Sequence, residues 1–559
     1  MPRTFESAVV AATAALFAIA PGSAIAQSAL PLKLAAKPTQ AAITTADLMT
    51  RIYIFADDSM MGRSAGTEGG IKGSAYIERE VRRLGLVPAG DNGTFFQAVP
   101  LYRRAFDPAS QLTANGVVLA AGKDYFAIHN GGTPRRLAGA QVIYAGNAAD
   151  TTTLIPASQA VGKVVLVSGS PAGMGRRYPG AVAFVAIPPA QQLPFFQRAS
   201  AGTPTLMRSE ADSQSLPVTL AITEGTAQAF LGVPLTNARP GTIGATLAGD
   251  VKWTMSEGPA RNVIAILPGS DPKLKNQYVA LGAHSDHVGT RRQGAQDHDS
   301  VRAFNATAQK IIVARTGHLP SVPGSGLTPD ERASIRVNVD SLRRLRPARL
   351  DSIYNGADDD GSGSMSVLEI AEMFAAAKVK PKRSLIFVWH TGEELGLYGA
   401  EYFTDNPTVP RDSIVAQLNV DMIGRGDAAD IPGGNPGYLQ LIGSRRLSTE
   451  LGDMVESANT GGKHGFKFDY QFDADGHPEN YYCRSDHYNY ARYGIPVVFM
   501  STGDHVDYHQ LTDEPQYISY GHLMRVTTFL GDVTSRVANL DRRVVVDKPK
   551  PDPKGDCQQ

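Results

Sequence analysis

From Asn262 onward the sequence alternates short apolar, β-branched runs with amphipathic stretches, and this rhythm constrains the fold more than any other feature. The runs NVIAILPG, YVALGAH, SLIFVWH, IVAQLNVD, YLQLIG and IPVVFMS read as strands, and residues 364–377, 446–458 and 520–539 read as helices. Strands that alternate with helices need crossover connections, which put helices on both faces of a parallel sheet. The fold class expected is α/β, with a mixed, mostly parallel sheet sandwiched by helices. Ligand sites in such sheets gather beyond the carboxyl ends of the strands.

A chain of 559 residues exceeds what one core usually supports, so more than one domain is expected. Between Leu112 and Leu247 the runs QVIYAG, KVVLVSG, AVAFVAI and PVTLAIT are separated by Gly, Pro and Ser. They read as a small β-rich domain over 112–250. It holds no cluster of His with carboxylates and is assigned no chemistry. Ahead of it, Thr44 or Thr45 caps a helix from about Asp47, and apolar spacing predicts a second helix over Lys72–Leu84. The main domain is assigned to 255–540. An Arg-rich stretch over about 291–349, containing LPSVPGSGLTP and a helix from Asp330, reads as a surface insertion. Residues 541–559 read as a disordered tail.

Charge excludes one class of partner. Lys plus Arg and Asp plus Glu both number 54, so no net field draws the protein to nucleic acid. At the N-terminus, Arg3, the apolar run Ala8–Ala20, a Pro-Gly break and Ala24-Ile25-Ala26 fit a secretory signal over residues 1–26. The run is shorter than the roughly 20 residues a membrane span needs, so a periplasmic or secreted protein without a stable membrane anchor is expected. The two cysteines, Cys483 and Cys557, are too few for a thiolate metal site. They are left as free thiols or as a bridge to the tail.

Five segments at strand ends carry metal-type ligands: GAHSDH (His284, Asp286), NGADDDGSG (Asp358, Asp359, Asp360), HTGEELG (Glu393, Glu394), NVDMIG (Asp421) and DHVDYHQLTDE (His509). Each alone has an ordinary explanation. DDDGSG reads equally as a turn and a helix cap on Ser362 or Ser364, and Glu393-Glu394 as acids favoured at the start of a helix from Leu395. Together they would converge on one rim of one sheet. Crowded carboxylates repel unless cations neutralise them, and two imidazoles with three carboxylates suit divalent zinc.

In order and wording these segments, with DDSMMGRSAGTEGG and RSDHYNYARYGIPVVF, resemble the co-catalytic zinc exopeptidases of metallopeptidase family twenty-eight. The resemblance implies two zinc ions bridged by Asp358, one completed by His284 and Asp421, the other by Glu394 and His509. It implies Glu393 as general base, Asp286 orienting the His284 ring, and a cis bond between Asp358 and Asp359. The β-rich region would be similar to an inserted protease-associated domain, with residues 43–111 returning to the catalytic domain. Asp486 and His487 are expected to border the site structurally, and His505 is a near miss. Tyr508 is placed to face a substrate, though the sequence alone assigns it no role. The interval from His284 to Asp358 is longer than in compact members. The expected activity is an aminopeptidase acting on peptides. The alternatives are a carboxypeptidase or dipeptidase on the same scaffold, a non-catalytic receptor-like binding protein, or a two-metal phosphoesterase.

Overall fold

The structure, a computed structural model, describes residues 30–559 apart from 129–132, 135, 172, 203, 207–214, 318, 320–322 and 429. The N-terminal segment read as a secretory signal lies outside the described residues. Among those described, no helix is long and apolar enough to cross a membrane.

A nine-stranded sheet forms the centre of the larger unit. Its strands, in chain order, are β1 (Val87–Pro88), β2 (Phe96–Ala98), β3 (Arg261–Leu267), β4 (Tyr278–His284), β5 (Ser384–His390), β6 (Ile414–Val420), β7 (Tyr438–Ile442), β8 (Lys467–Asp469) and β9 (Val497–Ser501). In space they run β1-β3-β5-β4-β6-β9-β7-β8, with β2 also on β3. The middle four, β5, β4, β6 and β9, are mutually parallel. β3 and β7 flank them antiparallel, giving the mixed sheet expected from the alternating pattern.

These strands are apolar at nearly every position because both faces are covered. Successive side chains point to opposite sides. Leu385, Phe387 and Trp389 of β5 join one core, and Ile386 and Val388 join the other. The first core is shared with α1 (Thr45–Phe55), α2 (Glu68–Arg83), α4 (Gly361–Ala376), α6 (Thr449–Gly461) and α7 (Tyr520–Ala538), and the second with α5 (Tyr398–Asp405); α3 is the helix His298–Thr316. Thr44 caps α1, its hydroxyl accepting from the Asp47 amide at 3.1 Å. The cap of α4 is neither serine expected: the Asp360 carboxylate accepts from the Gly363 amide at 2.9 Å, because the chain turns into the helix two residues earlier.

Residues 111–250 form a second sheet of eight strands with its own buried core, including Tyr125, Val164, Leu166, Val185, Leu220 and Phe230. A three-stranded sheet of Leu101–Phe106, Pro204–Leu206 and Trp253–Gly258 stands where the chain leaves and re-enters the larger unit.

Two segments differ from their expected state. The 291–349 stretch contains the 19-residue helix α3, which the sequence reading missed; its apolar face is broken by Asn305 and Gln309. The tail is not loose. Cys557 forms a disulfide with Cys483, and the Gln559 amide donates to Phe472 O at 2.6 Å. Ahead of α1, Leu30 and Leu34 pack against the main core.

Arg51 of α1 is completely buried and binds Glu369 at 2.8 Å and Glu372, both on α4. Buried charges persist only when paired, and removing one partner leaves the others desolvated. Arg51→Ala is expected to cost about 3–5 kcal/mol in urea denaturation, whereas Arg82→Ala, on an exposed pair with Glu78, should cost under about 1 kcal/mol.

Candidate metal centre and active site

The carboxyl ends of β4, β5, β6 and β9 meet at one edge, and each delivers part of a cluster. β4 ends in His284, the loop after β5 carries Glu393 and Glu394, Asp421 follows β6, and the loop after β9 leads to His509. The aspartate triplet sits just ahead of α4. Two groups of donors form here: His284, Asp359 and Asp421, and His287, Asp359, Glu394 and His509.

Asp359 belongs to both. One of its oxygens lies 3.2 Å from His284 Nε2 and the other 3.1 Å from His509 Nε2. His284 Nε2 is also 3.4 Å from Asp421 Oδ1, and His509 Nε2 is 2.8 Å from Glu394 Oε2. The shared acid is therefore displaced by one residue from the expected Asp358. The Asp358 carboxylate points elsewhere, accepting from the Gly424 amide at 2.6 Å and standing 3.1 Å from His505 Nε2. A run of three aspartates gives the sequence no way to choose among them. Backbone contacts choose: the Asp513 carboxylate accepts the amides of Asp358 at 3.0 Å and Asp359 at 3.1 Å, and the cis bond falls between Asp359 and Asp360 rather than one residue earlier.

Asp360 ties the site to the sheet. One oxygen accepts the Gly363 and Met422 amides, and the other accepts the His284 amide at 3.1 Å. Ser364 Oγ donates to the His284 carbonyl at 2.5 Å. The ring of His284 is held through Nδ1, 3.1 Å from the Asp286 carbonyl, so Nε2 is left to face the acids. Asp286 thus orients His284 through its backbone. Its carboxylate lies 3.9 Å from Nδ1 and instead accepts the Glu393 amide at 3.2 Å. Burial pushes the Asp286 carboxyl up to about 7.

His287 was missed by the sequence reading. Its Nδ1 is 2.7 Å from Glu394 Oε1 and its ring meets His509 edge-on at 5.6 Å. The signal was a second imidazole in GAHSDH, three residues beyond a strand-end histidine. Gly356 makes room for it: at φ +58° its Cβ would lie 2.5 Å from the His287 ring.

Glu393 lines the cavity beside the cluster, 4.0 Å from His284 Nε2. Burial raises its carboxyl well above the usual range; His284 opposes this and Asp421 and Glu394 add to it. Burial would also raise Asp359, but His287, His284 and His509 outweigh it and hold that carboxyl well below the usual range. Tyr508 stacks on the His509 ring at 4.0 Å and its hydroxyl accepts from Arg484 at 3.3 Å. Asp486 and His487 lie outside both groups: Asp486 is 3.1 Å from His390 Nδ1, and His487 stacks on Phe499. The cavity is bounded by Asp359, Glu393, Asp421, Tyr481, Arg484 and Tyr508 among others.

The donor set fits divalent cations. His287 Nε2 is buried without a hydrogen bond, and Asp359 Oδ2, Glu394 Oε1 and Asp421 Oδ1 are buried facing imidazole nitrogens without a well-aligned hydrogen bond. Such atoms call for a partner, and oxygen with imidazole nitrogen is the donor mix of zinc-type sites.

Fold and site together form two adjoining groups of carboxylate and imidazole donors at the strand ends of an α/β sheet. Residues 301–534 match the model of Peptidase family M28. The match includes Asp359, Glu393, Glu394, Asp421 and His509 and begins after His284 and His287. Over 159 residues the chain is 32% identical to leupeptin-inactivating enzyme 1 of Streptomyces exfoliatus, covering 28% of this chain and 32% of that protein. Over 140 residues it is 34% identical to an aminopeptidase of Pseudomonas aeruginosa strain UCBPP-PA14, covering 20% of this chain and 26% of the relative. The chain thus spans well under two thirds of either relative. A solved zinc aminopeptidase from Bacillus subtilis superposes with TM-score 0.48 at 17% identity, over 91% of this chain and 99% of that one.

The two aspartates differ in what they touch, so their amide variants should differ in metal content. Asp359→Asn is expected to lose most bound zinc after dialysis, by elemental analysis. Asp358→Asn keeps an oxygen for the Gly424 amide and should retain it.

Proposed function

We propose that this chain is an exported di-zinc aminopeptidase that removes N-terminal residues from peptides. The observation that carries the reading is Asp359, whose two oxygens face two separate donor groups. His284, Asp421 and one oxygen of Asp359 would hold one ion. His509, Glu394 and the other oxygen of Asp359 would hold the second, with His287 against Glu394 Oε1. A pair of such ions, when bound, activates water and polarises the scissile carbonyl.

The chain's own residues supply the rest. Glu393 stands at the cavity wall beside the cluster, where its carboxylate takes a proton from the attacking water and delivers it to the leaving amine. The Asp286 carboxylate, bonded to the Glu393 amide, fixes the backbone from which that base projects. Tyr508, stacked on His509 and bordering the cavity, offers a hydroxyl towards the developing oxyanion. The Cys483–Cys557 disulfide supports an oxidising, exported location. The eight-stranded unit over 111–250 supports a protease-associated-like insertion between two parts of one catalytic domain.

Arg484 favours a second reading. A partly buried guanidinium on the cavity wall is a natural partner for a substrate carboxylate, as a carboxypeptidase or dipeptidase would require.

On aminoacyl anilides, hydrolysis is expected to stop with a chelator and return with zinc. Free-amine peptides should be cut and their N-acetyl twins spared; cleavage of both would favour a carboxypeptidase. Glu393→Gln should keep its zinc and lose about 10²–10⁴ in kcat, whereas Glu394→Gln should lose metal as well. Equal zinc loss in both variants would refute the division between base and ligand.

A further inference from the structure

We propose that the C-terminal segment 548–559 is a tether for one wall of the substrate cavity, and so sets how tightly that cavity grips a peptide's first residue. The proposal rests on the peptidase reading above.

The wall in question carries Tyr481, Arg484 and Ser485, which border the cavity. These residues belong to a stretch with little regular structure. Between β8 and the short helix His487–Ala491 there are only the single turns Gln471–Asp473 and Tyr481–Cys483, and Asn480 is left-handed at φ 51°. A segment with so few ladder or helix bonds opens easily unless something outside it holds it.

The tail supplies that hold at both ends of the stretch. At its far end, Gln559 Nε2 donates to Phe472 O at 2.6 Å and Ala474 O at 3.1 Å. At its near end, Gln559 Oε1 accepts the Tyr482 amide at 3.0 Å, and Cys557 is bonded to Cys483. The tail is itself anchored, since Pro553 O accepts from Arg492 at 3.1 Å. Cys483 directly precedes Arg484 and Ser485, and these reach the chemistry. Arg484 donates to the Tyr508 hydroxyl at 3.3 Å, Ser485 Oγ donates to Asp421 Oδ2 at 2.8 Å, and Tyr481 donates to Asp504 at 2.7 Å. The chain of contact runs from tail to wall to cavity. It touches neither Glu393 nor Asp359, and it reaches Asp421 and Tyr508 only by one hydrogen bond each from Ser485 and Arg484, so its larger effect falls on substrate grip rather than on proton transfer.

A tether that merely stabilised the fold would lower Tm and nothing else, so the test separates binding from turnover. Cys557→Ser and Cys483→Ser cut the same bond from its two sides, and a chain ending at Asp547 removes the tether altogether. In all three, amide hydrogen exchange over residues 471–485 should accelerate, while zinc content and kcat on aminoacyl anilides hold. KM should rise about tenfold, the signature of binding lost equally from ground and transition states. A lower Tm with exchange and KM unchanged would overturn the proposal, as would a fall in kcat that tracks loss of zinc. A wild-type chain that cleaves no peptide would instead overturn the peptidase reading, and the exchange data would then decide the tether by themselves.

Discussion

The site depends on one carboxylate that must serve two donor groups at once. Asp359 can do so only if both of its oxygens are free and its backbone cannot rotate away. The neighbouring aspartates secure this by taking other partners. Asp358 turns to Gly424 and His505, and Asp360 caps α4 while gripping the His284 and Met422 amides. Asp513 receives the amides of Asp358 and Asp359. Three identical side chains thus acquire three tasks from backbone direction alone.

Burying so many acids demands a surrounding frame that is itself satisfied. Arg63, fully buried at the turn before α2, donates to the carbonyls of Phe55, Ser285, Asn355 and Gly356. It joins the N-terminal helices to two of the loops that hold cluster residues, and burial lowers its guanidinium to about 10. On the opposite flank, the Arg-rich insertion braces the His509 segment. Arg302 of α3 binds Asp507 at 3.1 Å, and Arg425 binds the same carboxylate at 2.5 Å. Arg349 and His298 both reach Glu514, and Asn305 donates to Gln510 at 3.1 Å. A stretch that interrupts the strand–helix rhythm in sequence therefore packs against the segment bearing a cluster residue.

The six longer strands of the central sheet and helices α1, α2, α4, α6 and α7 were legible because they follow from apolar periodicity, a local property. Each of the six strand runs from Asn262 to Ser501 forms a strand of the central sheet, and Thr44 caps the first helix. What failed did so for non-local reasons. Helix α3 was missed because its polar positions Asn305 and Gln309 face partners that only the fold supplies. The tail looks unstructured because its partners are a cysteine 74 residues away and a few backbone groups of the cavity wall. The α4 cap went to Asp360 because a carboxylate already fixed by the His284 and Met422 amides also reached the helix start.

By itself the sequence determined the kind of sheet, the edge at which polar groups would collect, and the chemical character of that edge. These follow from residue type and spacing, which a linear chain displays in full. Which aspartate is shared, that His287 joins the group, that Asp286 holds His284 through its carbonyl, and that residues 557–559 pack beside the cavity wall were decided only by tertiary structure. Each depends on where a side chain points or which distant backbone group lies within about 3 Å of it, and neither is set until the chain has closed on itself.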